Sequence, residues 1–215
     1  MILYQEARNQ WAENLLYREA GPDIDCIREQ RREYGLIDWA NHDVLDLGAN
    51  IGAFARFAVM HGAEFVTCVE PDKRNIEVFK ANMMTDVMYL YEAAVNNDGQ
   101  SGELYLANND QHWSHTTVPL RGRESVSVNG VALKNLVWNQ TAIKCDIEGG
   151  EYGLDWSVLA DTEVRTVIME LHLTKREWRR VEAPKLFEAF AELGFTINNP
   201  EIPEKSWNMV RSWTR

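Results

Sequence analysis

"VLDLGANIG", residues 44–52, decides the fold. Val44 to Leu47 read as a short strand, and "AFARFAVMHG", which follows, reads as a helix stopped at Gly62. Between them lies a turn of the form D-x-G-x-x-x-G, built on Asp46, Gly48 and Gly52. Gly48 is expected to allow a tight turn where a Cβ would meet a ligand, and Gly52 to let the helix approach closely. The first N–H groups of such a helix lack intrahelical partners and attract an anion, for example a carboxylate.

Working outward, "FVTCVE" forms a second strand ending in Glu70, 18 residues past Gly52. An acid there is placed to hydrogen-bond both hydroxyls of a ribose. Asp72 to Met84 reads as the next helix and "VMYLYEAAV" as a third strand. Residues 96–130 interrupt the rhythm: "NNDGQSG" is turn chemistry, and "ELYLAN" and "SVSVNG" suggest a hairpin-like insertion. Val131 to Trp138 suggests a helix, "TAIKCDI" and "VRTVIMELHL" the fourth and fifth strands, and Thr174 to Leu193 a long helix capped at Thr174. "FTINN" and "SWNMVRSW" suggest a closing antiparallel pair. Strands alternating with helices argue for a mostly parallel sheet covered on both faces. Before residue 41, Leu3, Ala7, Trp11 and Leu15 recur every fourth residue and predict one helix. Ile24, Ile27 and Tyr34 predict a second, ended by Gly35.

The spacing lacks the G-x-G-x-x-G that wraps a pyrophosphate, which favours S-adenosylmethionine (SAM) over a dinucleotide. Taken in order, "VLDLGANIG", "VEPDKRNIEVFKANM", "IKCDIEGGE" and "VIMELH" resemble the FkbM family of class I SAM-dependent methyltransferases, over about residues 42–172. The resemblance implies a Rossmann-like fold with a seven-stranded sheet. Residues 41–215 would be the methyltransferase domain and residues 1–40 a helical extension. It implies SAM held by Asp46, Gly48, Ala49, Asn50, Gly52, Glu70 and Pro71, with Ala93 of "EAAV" lining the adenine pocket and Asp146 at the methyl. It further implies O-methylation of a small acceptor such as a sugar or glycosylated metabolite. Methylation of an amine, a nucleobase or a protein side chain is the alternative, as is a SAM-binding module without catalysis. Where the family pattern commonly has "EGAE", this chain has "EGGE", with Gly150 loosening the turn.

The residues themselves point to one sheet edge. Alternation puts Lys144, Asp146 and Glu148 on one strand face and Ile143, Cys145 and Ile147 on the other. In the fifth strand Glu170 and His172 share a face, and ligands of open α/β sheets bind at the C-terminal strand ends. Carboxylates converging there must share a proton, pair with a cation or bind one. The cation would be Lys144, the sulfonium of SAM, or a divalent metal held by carboxylates and His172. Asp146, steered by Lys144, would position acceptor or methyl. Glu148 joins the cluster, and Glu170 and His172 are the general-base candidates. "NNDQHWSHTT", with His112, Trp113 and His115, offers an acceptor lid or a plain surface loop.

Composition narrows the partners. The net charge of −11 disfavours a nucleic-acid backbone. Lys175, Arg176, Arg179, Arg180 and Lys185 have the spacing of a solvated helix face. Cys26, Cys68 and Cys145 form no CxxC pair, which suggests a reducing, cytoplasmic setting. The start, "MILYQEARNQWAEN", has no long apolar stretch of the signal-peptide kind, and no run approaches the roughly 18 apolar residues of a membrane span.

Overall fold

The computed structural model describes residues 2–3, 12–18, 22–107, 114–173, 177–201 and 208–215. In chain order its elements begin with β1 (Ile2–Leu3), β2 (Leu16–Tyr17), α1 (Asp23–Glu33), β3 (Asp43–Leu47), α2 (Ala53–Met60), β4 (Phe65–Val69), α3 (Lys73–Asn82) and β5 (Met88–Tyr91). Then come β6 (Ala94–Asn96), β7 (Gly102–Tyr105), β8 (Ser125–Val128), β9 (Gly130–Ala132), β10 (Ala142–Cys145), β11 (Thr166–His172), α4 (Glu177–Glu192), β12 (Thr196–Ile197) and β13 (Asn208–Thr214).

Seven strands form the main sheet in the order β12-β13-β11-β10-β3-β4-β5. β3, β4, β5, β10 and β11 run parallel, and β13 is antiparallel to both β11 and β12. Alternation sorts the core into two layers, as a sheet covered on both faces requires. Leu45, Leu47, Ile143, Cys145, Val167, Met169 and Leu171 face Ala183, Leu186 and Phe190 of α4. Val44, Ala142 and Ile168 face Ile27 of α1 and Phe54 and Phe57 of α2. The second layer is the one that carries Asp46, Lys144, Glu170 and His172 towards the strand ends.

Three sequence expectations change. The first N-terminal helix is replaced, as far as described, by an antiparallel pair in which Leu3 faces Leu16; Ala7 and Trp11 lie outside the described residues. A tertiary contact wins over the weak four-residue repeat: the Asn82 side chain accepts from the Leu16 amide at 2.6 Å and donates to the Leu16 carbonyl at 2.9 Å. The second helix, α1, stands as expected. A Cβ at Gly35 would lie 2.3 Å from the Arg31 carbonyl oxygen. "VMYLYEAAV" divides: β5 stays in the main sheet, while β6 leaves it to pair with β9. Val131 to Trp138 keeps only a 3-10 turn at Leu133–Asn135. The insertion does contain an antiparallel pair, β7 with β8. Thr174 and its proposed cap lie outside the described residues, as do Lys175, Arg176, and His112 and Trp113 of the proposed lid. Lys185 pairs with Glu182 on α4 at 2.7 Å.

Candidate active site

A cavity of about 330 Å³ opens at the C-terminal ends of the parallel strands. Gly48, Ala49, Asn50, Glu70, Pro71, Ala93, Asp146, Lys144, Glu148 and Glu170 all reach its wall. Asp46, Gly52 and His172 do not.

The glycine turn is shaped by its neighbours within the protein. Gly48 has φ +81°, and a Cβ there would lie 1.8 Å from the Asp146 carbonyl oxygen. The backbone just past β10 therefore requires a glycine here within the protein itself. Gly52 has φ +84° and sits against the Phe79 ring of α3, which would stand 3.0 Å from an added Cβ. At the wall, Glu70 is buried, and burial pushes its carboxyl above the ordinary value. Three donors hold it: the Asn50 amide at 2.9 Å, the Asp72 amide at 2.9 Å and Asn75 Nδ2 at 3.2 Å. Asn75 is in turn fixed by Arg18, whose guanidinium also grips Asp23 at the start of α1. These residues suit a SAM-sized ligand: an acid at a nucleoside position, and small Ala93, Ala94 and Val95 along one side.

Asp46 stands one layer below, as the cross-strand neighbour of Lys144. Lys144 Nζ lies 3.1 Å from Asp46 Oδ1 and 3.8 Å from Asp146 Oδ2, and donates to the Gly48 carbonyl at 2.8 Å. Burial opposes the ammonium charge, and Asp46 and Asp146 more than restore it, holding Lys144 above its ordinary pKa. Lys144 thus ties the glycine turn to β10 from beneath.

The acid cluster surrounds His172, which is only 2% exposed. His172 Nε2 lies 3.2 Å from Glu148, 3.6 Å from Asp146 and 3.9 Å from Glu170, and Nδ1 lies 3.2 Å from Glu151. Burial would discharge the ring, yet Glu148 and Glu151 hold its pKa well above the usual histidine value. Glu170 is pushed up to about 8, by burial first and by the Asp146 charge next. Asn208 of β13 donates to it at 2.8 Å. Glu148 sits in a left-handed turn, φ +56°, a conformation that non-glycine residues adopt at some cost.

One ligand atom each from Asp146, Glu148 and His172 lies within 4.8 Å of the others. A metal needs a neutral imidazole, whereas Glu148 and Glu151 favour the charged ring.

Glu151 was visible in the sequence but not as a site residue. It has no exposed surface, follows a glycine pair, and folds back beneath the cluster. Its signal was an acid among apolar residues at the end of "EGGE". The wall made by α1 and its C-cap was also missed: Cys26, Glu29, Gln30, Arg32, Glu33 and Tyr34 line the cavity, with Cys26 Sγ 3.7 Å from Asn50 Nδ2. From the insertion, His115 Nε2 lies 3.0 Å from Asp72 Oδ2, on the Glu70 side of the cavity. Thr116 Oγ1 donates to the Glu148 carbonyl at 2.8 Å, and Thr117 reaches the wall.

Comparison with known proteins agrees with this geometry. The family described as the methyltransferase FkbM domain matches residues 46–197. No curated protein matches the chain. Among solved structures, the chain is similar to the methyltransferase FkbM from Methylobacillus flagellatus KT, with TM-score 0.52 and 14% identity over 84% of this chain and 45% of that one. It is similar to magnesium protoporphyrin IX methyltransferase from Synechocystis PCC 6803, solved with bound SAM, with TM-score 0.51 and 12% identity over 90% of this chain and 82% of that one. An S-adenosylmethionine dependent methyltransferase from Mesorhizobium loti gives TM-score 0.50 and 10% identity over 92% and 99% of the two chains. At these identities the likeness is one of fold. No helix among the described residues is long and apolar enough to cross a membrane.

Proposed function

The chain belongs to the FkbM family of SAM-dependent methyltransferases, and from that premise we propose that it methylates a hydroxyl oxygen of a small acceptor, of the sugar or glycosylated-metabolite kind. The observation that carries this reading is the meeting of two halves on one cavity: the Gly48–Asn50 turn with Glu70, and the strand-end carboxylates Asp146, Glu148 and Glu170.

Bound SAM supplies a methyl group on a positively charged sulfur, open to in-line attack. In this reading Glu70 accepts from the ribose hydroxyls, and Ala93 leaves room for the adenine. Asp146, braced by Lys144, orients the acceptor beside the methyl group. Alignment of that kind supplies roughly 7–11 kcal/mol of a barrier. Glu170 takes the proton of the attacking hydroxyl, a step worth about 10²–10⁴-fold. His172 is the poorer base, because Glu148 and Glu151 hold its pKa well above the usual histidine value and so favour the protonated ring. Its work is to hold Glu148 and Asp146 in place.

Isotopically labelled SAM, offered with a panel of hydroxylated acceptors, tests the reading. Label on oxygen supports it. Label found only on nitrogen replaces it with amine methylation.

A further inference from the structure

Arg18 lies ahead of the residues matched to the family and does not line the cavity, yet its guanidinium is built into the wall beside Glu70. Asp23, at the start of α1 and only 1% exposed, accepts from the Arg18 main-chain amide at 2.8 Å, from Nε at 2.9 Å and from Nη2 at 2.7 Å. That grip holds the head of the side chain in one pose. The same Nη2 donates to Asn75 Oδ1 at 2.9 Å, and Asn75 Nδ2 donates onward to Glu70 Oε1 at 3.2 Å.

The order of donors matters. An ionised Glu70 only accepts, so it needs the nitrogen of the amide and is repelled by its oxygen. An asparagine amide offers both ends, whereas Arg18 has donors only and keeps its charge. Placed on Oδ1, Arg18 turns Nδ2 towards Glu70. That donor is one of those that favour the Glu70 carboxylate against the cost of burial. A reversed amide would lose the Arg18 bond and bring two oxygens together.

A second tie runs beside the first. Asn82 stands seven residues after Asn75, two turns along the same face of α3. It holds the Leu16 amide and carbonyl and donates to the Ile51 carbonyl at 2.8 Å. Residues 16–23 are therefore fastened along α3 at two points. One fastening ends at the glycine turn, the other at its acid.

Resting on the SAM reading above, we propose that Arg18 is a positioning residue for the cofactor ribose: by fixing the Asn75 amide it aims the Glu70 carboxylate at the ribose hydroxyls, so the stretch ahead of the matched family residues contributes to cofactor affinity. The competing role is a fastening that only holds residues 16–23 to the domain. Such a fastening acts on the whole ligand alike, whereas a positioning residue acts through the hydroxyls.

S-adenosylhomocysteine and its 2′,3′-dideoxy form separate the two roles, each titrated calorimetrically into the whole protein. The wild type is expected to bind the dideoxy form about 10–100-fold more weakly. The Arg18→Met, Asp23→Asn double variant removes the ion pair without leaving a lone buried charge. It should lose about tenfold in affinity for S-adenosylhomocysteine and little for the dideoxy form, so that the gap narrows. Asn75→Ala should narrow the gap to a similar degree, and combining it with the double variant should narrow it no further, since all act on one bond. Arg18→Lys serves where the double variant fails to fold. It keeps a charge for Asp23, but one ammonium cannot grip Asp23 and Asn75 as the fork does, and the gap should narrow again. Equal losses on both ligands, an unchanged gap, or additive effects of Arg18 and Asn75 overturn the proposal alone. A wild type that binds both ligands alike removes Glu70 from the ribose and the proposal with it, and one that binds neither overturns the methyltransferase reading as well.

Discussion

Glu151 accepts hydrogen bonds from both the main-chain amide and the ring Nδ1 of His172, at 2.9 and 3.2 Å. Its second oxygen accepts from the Gly149 amide at 2.7 Å. One buried carboxylate therefore fixes the ring, the end of β11 and the turn that presents Glu148. Burial would raise its pKa, but the His172 charge and hydrogen bonds hold it below the ordinary value.

Glu151→Gln is expected to destabilise the protein by about 3 kcal/mol, because it leaves a buried imidazolium short of a counter-charge. The pH dependence has two arms. A lowered Glu151 contributes above its unfolded value and is lost as pH falls through the folded one. A raised His172 contributes below its unfolded value, about 6.5, and is lost as pH rises through the folded value well above that. Urea unfolding against pH should show a wild-type maximum between these limits and a flattened profile in the variant. A variant as stable as wild type at all pH values would show the pair to be energetically idle.

Glu70→Ala should weaken SAM by about 10–100-fold, the worth of charge-assisted hydrogen bonds to a buried site. Calorimetry reads this directly. Unchanged affinity would remove Glu70 from the ribose.

If Glu170 is the base, it must be deprotonated to act, so kcat/KM should rise with pH through about 8. The corresponding limb in kcat should lie lower, since a bound sulfonium favours the carboxylate. Glu170→Gln should lose the limb and about two orders of magnitude in kcat. Survival of the limb in that variant would assign it to another group.

Much of this edge is legible in the sequence, because alternation along a strand is rigid. Lys144 and Asp146 share a face, and Glu170 and His172 arrive beside them once β10 and β11 are neighbours. The glycine turn and Glu70 follow from spacing alone. What the sequence hides is what crosses between elements. Asp46 has the position of a cofactor residue, yet the register sets it against Lys144. Glu151 acts through a fold-back that no periodicity encodes. Nothing in the sequence marks Glu29 and Glu33, which reach the cavity only because α1 docks on it. Leu3 and Leu15 look like a helical stripe because Asn82, which captures Leu16, lies far along the chain.

Two glycines separate backbone need from mere habit. Gly48→Ala combines a positive φ with a Cβ 1.8 Å from the Asp146 carbonyl oxygen, and should cost more than about 3 kcal/mol or abolish folding. Gly150→Ala restores the family's usual residue. Its Cβ would meet the tip of Ile147 at 3.1 Å and Thr117 Oγ1 at 3.3 Å, both side-chain atoms able to shift, so the change should stay within about 1 kcal/mol. Thermal melts of the pair check both.

Chelation tests the self-neutralised cluster. Activity should be unchanged after exhaustive treatment with a chelator and on adding back magnesium, manganese or zinc. Loss on chelation with recovery on one metal would mean that His172 gives up its proton to coordinate.

Cys26 offers the experimenter a built-in probe. Cys68 and Cys145 are sealed in the interior, whereas Cys26 lines the chamber. Burial, and then the Glu29 and Asp146 charges, keep it a thiol rather than a thiolate, so alkylation should be slow and confined to one position. Intact-mass kinetics with an uncharged maleimide would then act as an occupancy clock for the chamber, ticking more slowly as each guest settles in.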